Sequence, residues 1–323
     1  MASESRQARG QHQSGLRYLK SKFTLLTIFW IASLPAEGST CSCAGVPLLG
    51  AMEMASPNND QWFMGVTYEY HDVSDLVSGS SSVPDTTGRD RTAQAFIVEV
   101  SRGLTNNWSL SALMSAVEHE RIVGGVKDRA SGIGDAVLML KYAPAIITPY
   151  SRNALAFGLG SRIPVGVDDA DRSGIILAED MQPSTGAFGA VAWMYAGRAL
   201  NQADSARIFA NISHTLNGTN DREYQFGHET TIAIGGSYWT QSPFALNLQL
   251  LYRHAERDRR NSVEIPNTGG QWLDIVPAIQ YHVTDTFAVG ASAKIPLKRD
   301  LNDQLQFTTK YAFRLSFSYV FGN

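Results

Sequence analysis

Charged and polar residues spaced two apart along otherwise apolar segments offer the most suggestive chemistry in this sequence. Glu69, His71, Glu99, Lys141, Arg162, Arg207, Glu229, Arg253, Asp274, Gln280, His282, Lys294, Lys310 and Arg314 fall on the polar side of segments whose alternate positions are apolar. Residues i and i+2 of an extended chain share a face, so these side chains share the wet face of a sheet. Both signs occur, which suits either a salt-bridged filling of an enclosed interior or a polar path that orients a passenger. Arg162, Arg253 and Arg314 are the first candidates for a constriction that reads an anionic group, because a guanidinium stays charged and presents a planar fork of donors. Glu69, Glu99, Lys141, Asp274 and Lys294 complete the candidate lumen set.

Three smaller constellations offer other chemistry. Asp169-Ala-Asp171-Arg-Ser173-Gly174, ending at Asp180, has the spacing of a calcium loop, with oxygens at alternate positions and a glycine at the sixth. Ser173 stands where Asp or Asn is usual, Asp180 replaces the bidentate Glu, and flanking helices are missing, so a solvated outer loop is the competing reading. Cys41 and Cys43 are the only cysteines. A soft-metal pair, a reducible disulfide, a lipidated cysteine and an exposed pair without function all remain open, although Gly38 and Thr40 stand where a lipidation signal wants Leu. The run His214-Thr-Leu-Asn217 has the His of an outer-membrane lipid hydrolase, but Leu216 occupies the place of the Ser and Ser213 would point to the opposite face. No catalytic set and no cofactor motif emerges.

The elements that must position these residues are strands. Arg6, Arg9, Arg17, Lys20 and Lys22 precede an apolar run from Phe23 to Pro35, followed by Ala36-Glu37-Gly38. This is the pattern of a signal peptide over residues 1–38, and a run of about 13 residues is too short to span a bilayer as a helix. Residues 39–60 read as a periplasmic N-terminal segment carrying the cysteine pair, and its apolar stretch from Gly45 to Met54 is a candidate plug. No later segment is apolar for long enough to cross as a helix, so a membrane-spanning mature chain must be a closed barrel over residues 61–323. With 27 basic against 30 acidic residues and no basic stripe, nothing points to a nucleic-acid partner.

Alternation predicts twelve strands: Trp62–His71, Thr92–Arg102, Ser109–His119, Asp135–Tyr142, Ala154–Ile163, Thr185–Tyr195, Ala206–His214, His228–Tyr238, Phe244–Arg253, Leu273–His282, Phe287–Ile295 and Phe307–Phe321. In the last, Phe307, Tyr311, Phe313, Leu315, Phe317, Tyr319 and Phe321 share one face, and Lys310, Arg314, Ser316 and Ser318 the other. Long polar connections (73–91, 120–134, 164–184, 215–227, 256–271, 296–306) alternate with short turns, the outer-membrane arrangement. Trp62, Tyr70, Trp108, Tyr142, Trp193, Tyr195, Tyr238, Tyr252, Trp272, Tyr281, Tyr311 and Tyr319 are placed as interfacial aromatics. Pro277, on the apolar side in mid-strand, calls for a bulge.

The phrases Gly132-Ile-Gly-Asp-Ala-Val-Leu-Met-Leu-Lys-Tyr142, Ser161-Arg-Ile-Pro-Val-Gly166, Met181-Gln-Pro-Ser-Thr-Gly186 and Ile275-Val-Pro-Ala-Ile-Gln-Tyr281 resemble the outer-membrane transporters associated with the meta pathway of phenol degradation. The resemblance runs from about Gln61 to Phe321, and that group is distantly similar to long-chain fatty-acid transporters. It implies an all-β transmembrane barrel that moves small hydrophobic or aromatic molecules. The expected reading is therefore a bacterial outer-membrane channel or transporter, not an enzyme and without a cofactor. Its partners would be a small-molecule solute, outer-membrane lipid and lipopolysaccharide, and the barrel-assembly machinery. The alternative is a closed structural or receptor-type barrel that uses loops 73–91 and 164–184 as its contact surface.

Overall fold

The computed structural model describes residues 59–144, 153–201, 205–239 and 243–322. Twelve antiparallel strands close into one barrel. In chain order they are β1 (Trp62–Asp72), β2 (Asp90–Gly103), β3 (Trp108–Val123), β4 (Val126–Tyr142), β5 (Asn153–Ile163), β6 (Gly189–Ala199), β7 (Ala206–Asn217), β8 (Glu229–Trp239), β9 (Phe244–Ala255), β10 (Gly270–His282), β11 (Phe287–Leu301) and β12 (Tyr311–Phe321). Each pairs with its sequence neighbours, and β1 pairs with β12 from Trp62 opposite Phe321 to Asp72 opposite Tyr311, so no edge is left open. Closure gives every interior strand amide a partner, which a lipid environment requires.

The dyad pattern turns large apolar side chains outward. Phe96, Leu159, Ile234, Leu248, Phe313, Leu315 and Phe317 all stand exposed on the outer wall, a continuous apolar belt that only lipid can cover. Among the described residues no helix is long and apolar enough to cross a membrane. This is a membrane-spanning barrel that crosses with strands.

Three predicted features shift. Residues 120–134, expected to be a loop, are strand: β3 and β4 extend to Val123 opposite Val126 and turn on Gly124 and Gly125. Both glycines have positive φ, 57° and 79°, as a two-residue hairpin turn with the right-handed twist demands. The last predicted strand breaks before Tyr311, and Phe307 lies buried in a separate small sheet, Gln306–Thr308 beside Asp75–Ser78 and Ser81–Ser82. Lys310 consequently lies in the connection, its backbone N–H donating to the Asp72 carbonyl at 2.8 Å, and not in the lumen. The bulge expected at Pro277 is displaced: β10 and β11 change register between Leu273 and Asp274, while Pro277 faces outward.

Of the twelve aromatics placed at the interfaces, Trp193, Tyr195 and Trp272 instead point inward and are buried. Trp193 and Tyr195 belong to an apolar cluster with Ile97, Leu113, Val137, Met139 and Phe209 on the inner side of β2 to β7. The inner faces of β8, β9, β11 and β12 carry half-buried polar residues instead, among them Thr231, Gln249, Ser292, Lys294, Arg314 and Ser316. The interior thus has one apolar and one polar side.

Candidate functional site: a pinned loop above a charged lumen

The long connection between β5 and β6 lies folded against the barrel. Met181, Gln182, Ser184 and Thr185 are essentially inaccessible to solvent. Its anchor is Asp135 on β4. There the pairing with β3 shifts register between Met114 and Ala116, so Gly134 and Asp135 together oppose Ser115 and both turn inward. A bulge of this kind re-aims a side chain. Asp135 accepts hydrogen bonds from the Ser184 hydroxyl at 2.5 Å, the Thr185 hydroxyl at 2.6 Å and the Thr185 backbone N–H at 3.2 Å. Arg162 completes the cluster, 3.9 Å from Asp135 and donating to Asn217 at 3.0 Å.

Backbone contacts press the start of the loop against the same place. The Val167 N–H donates to the Ile133 carbonyl at 2.9 Å, and the Ser184 N–H to the Val167 carbonyl at 2.9 Å. A Cβ at Gly166 would collide with the Ile133 and Gly134 carbonyls, and one at Gly132 would meet the Val167 side chain at 2.8 Å. Glycine is what allows the two segments to touch.

Further tethers hold the loop from other strands and loops. Arg91 on β2 donates to the Asp180 carboxylate at 2.7 Å and to its carbonyl. Glu179 accepts a forked pair from Arg222 at 2.8 and 2.7 Å, a bond from Asn220 at 3.1 Å and one from Arg260 at 3.4 Å. The hydrogen bonds to Glu179 raise the Arg222 pKa above its ordinary value, so this fork stays charged. Inside the loop, Gln182 clasps Ala170 and Leu177 with three bonds of 2.8 to 3.1 Å.

Below the loop the predicted lumen residues form discrete ion pairs. Glu69 meets Arg314 and, at 3.2 Å, His71. Lys141 lies 3.7 Å from Glu99, and Arg253 is 3.3 Å from Glu229 with its guanidinium 3.9 Å above the Trp272 ring. Trp272 is fixed in turn by its Nε1–H bond to Thr308 at 2.9 Å. Asp274 and Lys294 face inward from neighbouring strands, β10 and β11.

A family model described as "Putative MetA-pathway of phenol degradation" matches residues 77–315. The chain belongs to that family. The family phrases ending at Tyr142, Gly166 and Gly186 are the segments that meet at Asp135: the bulge, the rim of β5 and the folded loop. An outer membrane channel from Pseudomonas putida F1 has the same fold, at a TM-score of 0.68 and 12% identity over 83% of this chain and 97% of that one. The CymD monoaromatic hydrocarbon channel matches at a TM-score of 0.40 and 8% identity over 82% of this chain and 90% of that one. The KdgM porin matches at 0.43 and 8% identity, over 80% and 99%. No curated protein matches in sequence.

The remaining candidates of this family member are dispersed. Asp171 accepts the Gly174 N–H at 2.7 Å in a small hairpin, Asp169 and Ser173 are exposed, and Asp180 is taken up by Arg91. The structure does not bring these four together, and among the described residues no group of three or more His, Cys, Asp or Glu is placed to hold a metal. Cys41, Cys43 and the plug segment 45–54 lie outside the described residues, as do residues 1–38. Ser213 faces inward and His214, bonded to Thr230 at 2.9 Å, belongs to the alternate face of β7. Asp135 was not among the sequence candidates. Its signal was parity, since Asp135 falls on the same inward face of its strand as Lys141.

Proposed function

We propose that this protein is a passive outer-membrane channel for small organic molecules, hydrophobic or aromatic ones among them, with the loop from Pro164 to Phe188 as the cover of its entrance. The observation that carries the reading is the buried attachment of that loop to the bulge at Asp135 inside a closed wall. A purely structural barrel needs no inward-turned carboxylate to hold a loop; a channel whose width is set by a loop does. Membership in a family named for phenol degradation supports a small aromatic solute.

A receptor surface fits less well, because the segment it would present has its most distinctive residues turned inward, Gln182 and Ser184 among them. Hydrolysis lacks support at the one place suggested for it, since Ser213 and His214 point to opposite sides of the wall. The deciding experiment is reconstitution of the full chain in planar bilayers and in liposomes for solute swelling. Discrete conductance steps and uptake of small solutes are expected; a sealed bilayer with both the native chain and a variant lacking residues 168–182 would remove the proposal.

A further inference from the structure

Building on the channel reading, we infer that the preferred passenger is a small organic anion, such as an aromatic carboxylate, and not a neutral hydrocarbon. The argument begins with how the ion pairs of the lumen are turned. Arg314 and Glu69 stand directly opposite each other on β12 and β1, yet the Arg314 side chain is 28% exposed and that of Glu69 is 4% exposed. Arg162 and Asp135 repeat the arrangement at 16% against 2%. In both, the carboxylate is sunk in the wall and the guanidinium is what a solute meets. The Arg253–Glu229 pair is turned the other way, at 13% against 22%, and Lys141 with Glu99 is buried on the apolar side.

A further cation joins the same side. Lys294 and His71 sit on either side of Ala312, since both pair with it in register, and Lys294 is half-buried. Arg314 pairs with Ser292, two residues along β11, so Lys294 and Arg314 present their charge on neighbouring inward positions of β11 and β12. Below them the inner surface is small and hydroxylated: Ser292 opposite Arg314, Ser316 opposite Gly290, and Ser318 opposite Ala288. These residues keep partial exposure, whereas the serines on the other side, Ser109, Ser111 and Ser115, are buried. Cations followed by hydroxyl donors form a track for carboxylate oxygens, and basic side chains lining a constriction select anions. A neutral hydrocarbon would gain at most a cation–π contact from Lys294 or Arg314 and would have to strip water from both.

The test measures reversal potentials in planar bilayers at pH 8, first across a KCl gradient and then with KCl on one side and potassium benzoate on the other. It is run on the native chain and on D135N, whose loop attachment is weakened. Chloride and benzoate should each permeate at least about threefold better than potassium. Lys294→Glu should abolish or invert the preference, and Lys294→Gln should lower it, with folding checked by heat-modifiable migration in gels. Conductance with equal or cation-favouring permeability in both chains would overturn this inference and leave the channel standing. Absence of any conductance in both would overturn the channel and the inference together.

Discussion

Asp135 and Thr185 lie 50 residues apart in the chain, yet one carboxylate oxygen accepts the threonine hydroxyl at 2.6 Å in a site with almost no access to water. The bond spans the gap between the wall and the loop that crosses it, so its strength bears on how often the loop leaves. Hydrogen bonds to a charged group contribute about 1.5 to 3 kcal/mol each, and Asp135 accepts from both Ser184 and Thr185. Asp135→Asn keeps the shape and weakens both. Single-channel recording should show a higher open probability, and limited proteolysis should cut within residues 168–176 more readily. Unchanged conductance together with an unchanged digestion pattern would mean that the loop is held by its other tethers, Arg91, Arg222, Asn220, Arg260 and the Val167 backbone bond.

Gly166 offers an independent way to reach the same state without touching a charge. Any Cβ at that position would run into the Ile133 carbonyl, which is backbone and cannot swing aside. Gly166→Ala should therefore lift the loop at a cost of about 1 to 3 kcal/mol, the usual penalty of forced overpacking. The conductance change should resemble that of Asp135→Asn, and the double variant should show less than the sum because both act on one contact. Ile175→Ser, at the exposed hairpin tip, serves as the control and should behave as the native chain does.

The barrel was legible because lipid on one side and side chains or water on the other impose a period of two on residue type, and Tyr311 to Phe321 carries that period without a break. Above the membrane both faces meet water, the period fades, and residues 120–134 therefore read as a loop although they are strand. Alternation also cannot tell a ring in the headgroup layer from one packed in the interior, so Trp193, Tyr195 and Trp272 were placed on the wrong side. The lumen residues followed from parity alone. Their partners did not: Asp180 had the spacing of a calcium ligand, and nothing local to it revealed Arg91, 89 residues earlier. Asp135 shares the parity of Lys141, so alternation alone turns it inward, but nothing local to it revealed its partners Ser184 and Thr185, 49 and 50 residues later.

Lys141 and Glu99 test what the apolar side of the interior tolerates. Lys141 has no solvent exposure, lies 3.7 Å from Glu99 and holds its ammonium 5.5 Å from the Trp193 ring centroid. Removing one member of such a pair leaves an uncompensated buried charge, at a cost of about 3 to 5 kcal/mol. Lys141→Met should lower the midpoint of urea unfolding in lipid vesicles accordingly. Adding Glu99→Gln should recover a good part of the loss. If the double variant is no more stable than Lys141→Met, the two residues are not energetically coupled, and the lysine acts through its contact with Trp193.

Tyr224 gives the outer layer a dependence on alkaline pH. Its hydroxyl donates to Asp258 at 2.6 Å, and Asp258 also accepts the Gly227 N–H at 2.7 Å, which ties the connection after β7 to that after β9. Burial, and then the neighbouring Asp258 carboxylate, push the phenol pKa far above its usual value near 10. A group whose folded pKa is raised contributes fully below the unfolded value, because both states then hold the proton. As pH climbs past about 10 the unfolded chain releases that proton and the folded one does not, so the layer loses stability. Proteolysis of residues 218–228 and 256–269 should therefore accelerate between about pH 10 and 11.5 while the barrel itself stays heat-modifiable in gels. Tyr224→Phe should cost about 1 to 3 kcal/mol at neutral pH, by leaving Asp258 one donor short, and should flatten the alkaline dependence. An equally steep alkaline loss in Tyr224→Phe would place the titrating group elsewhere in the layer.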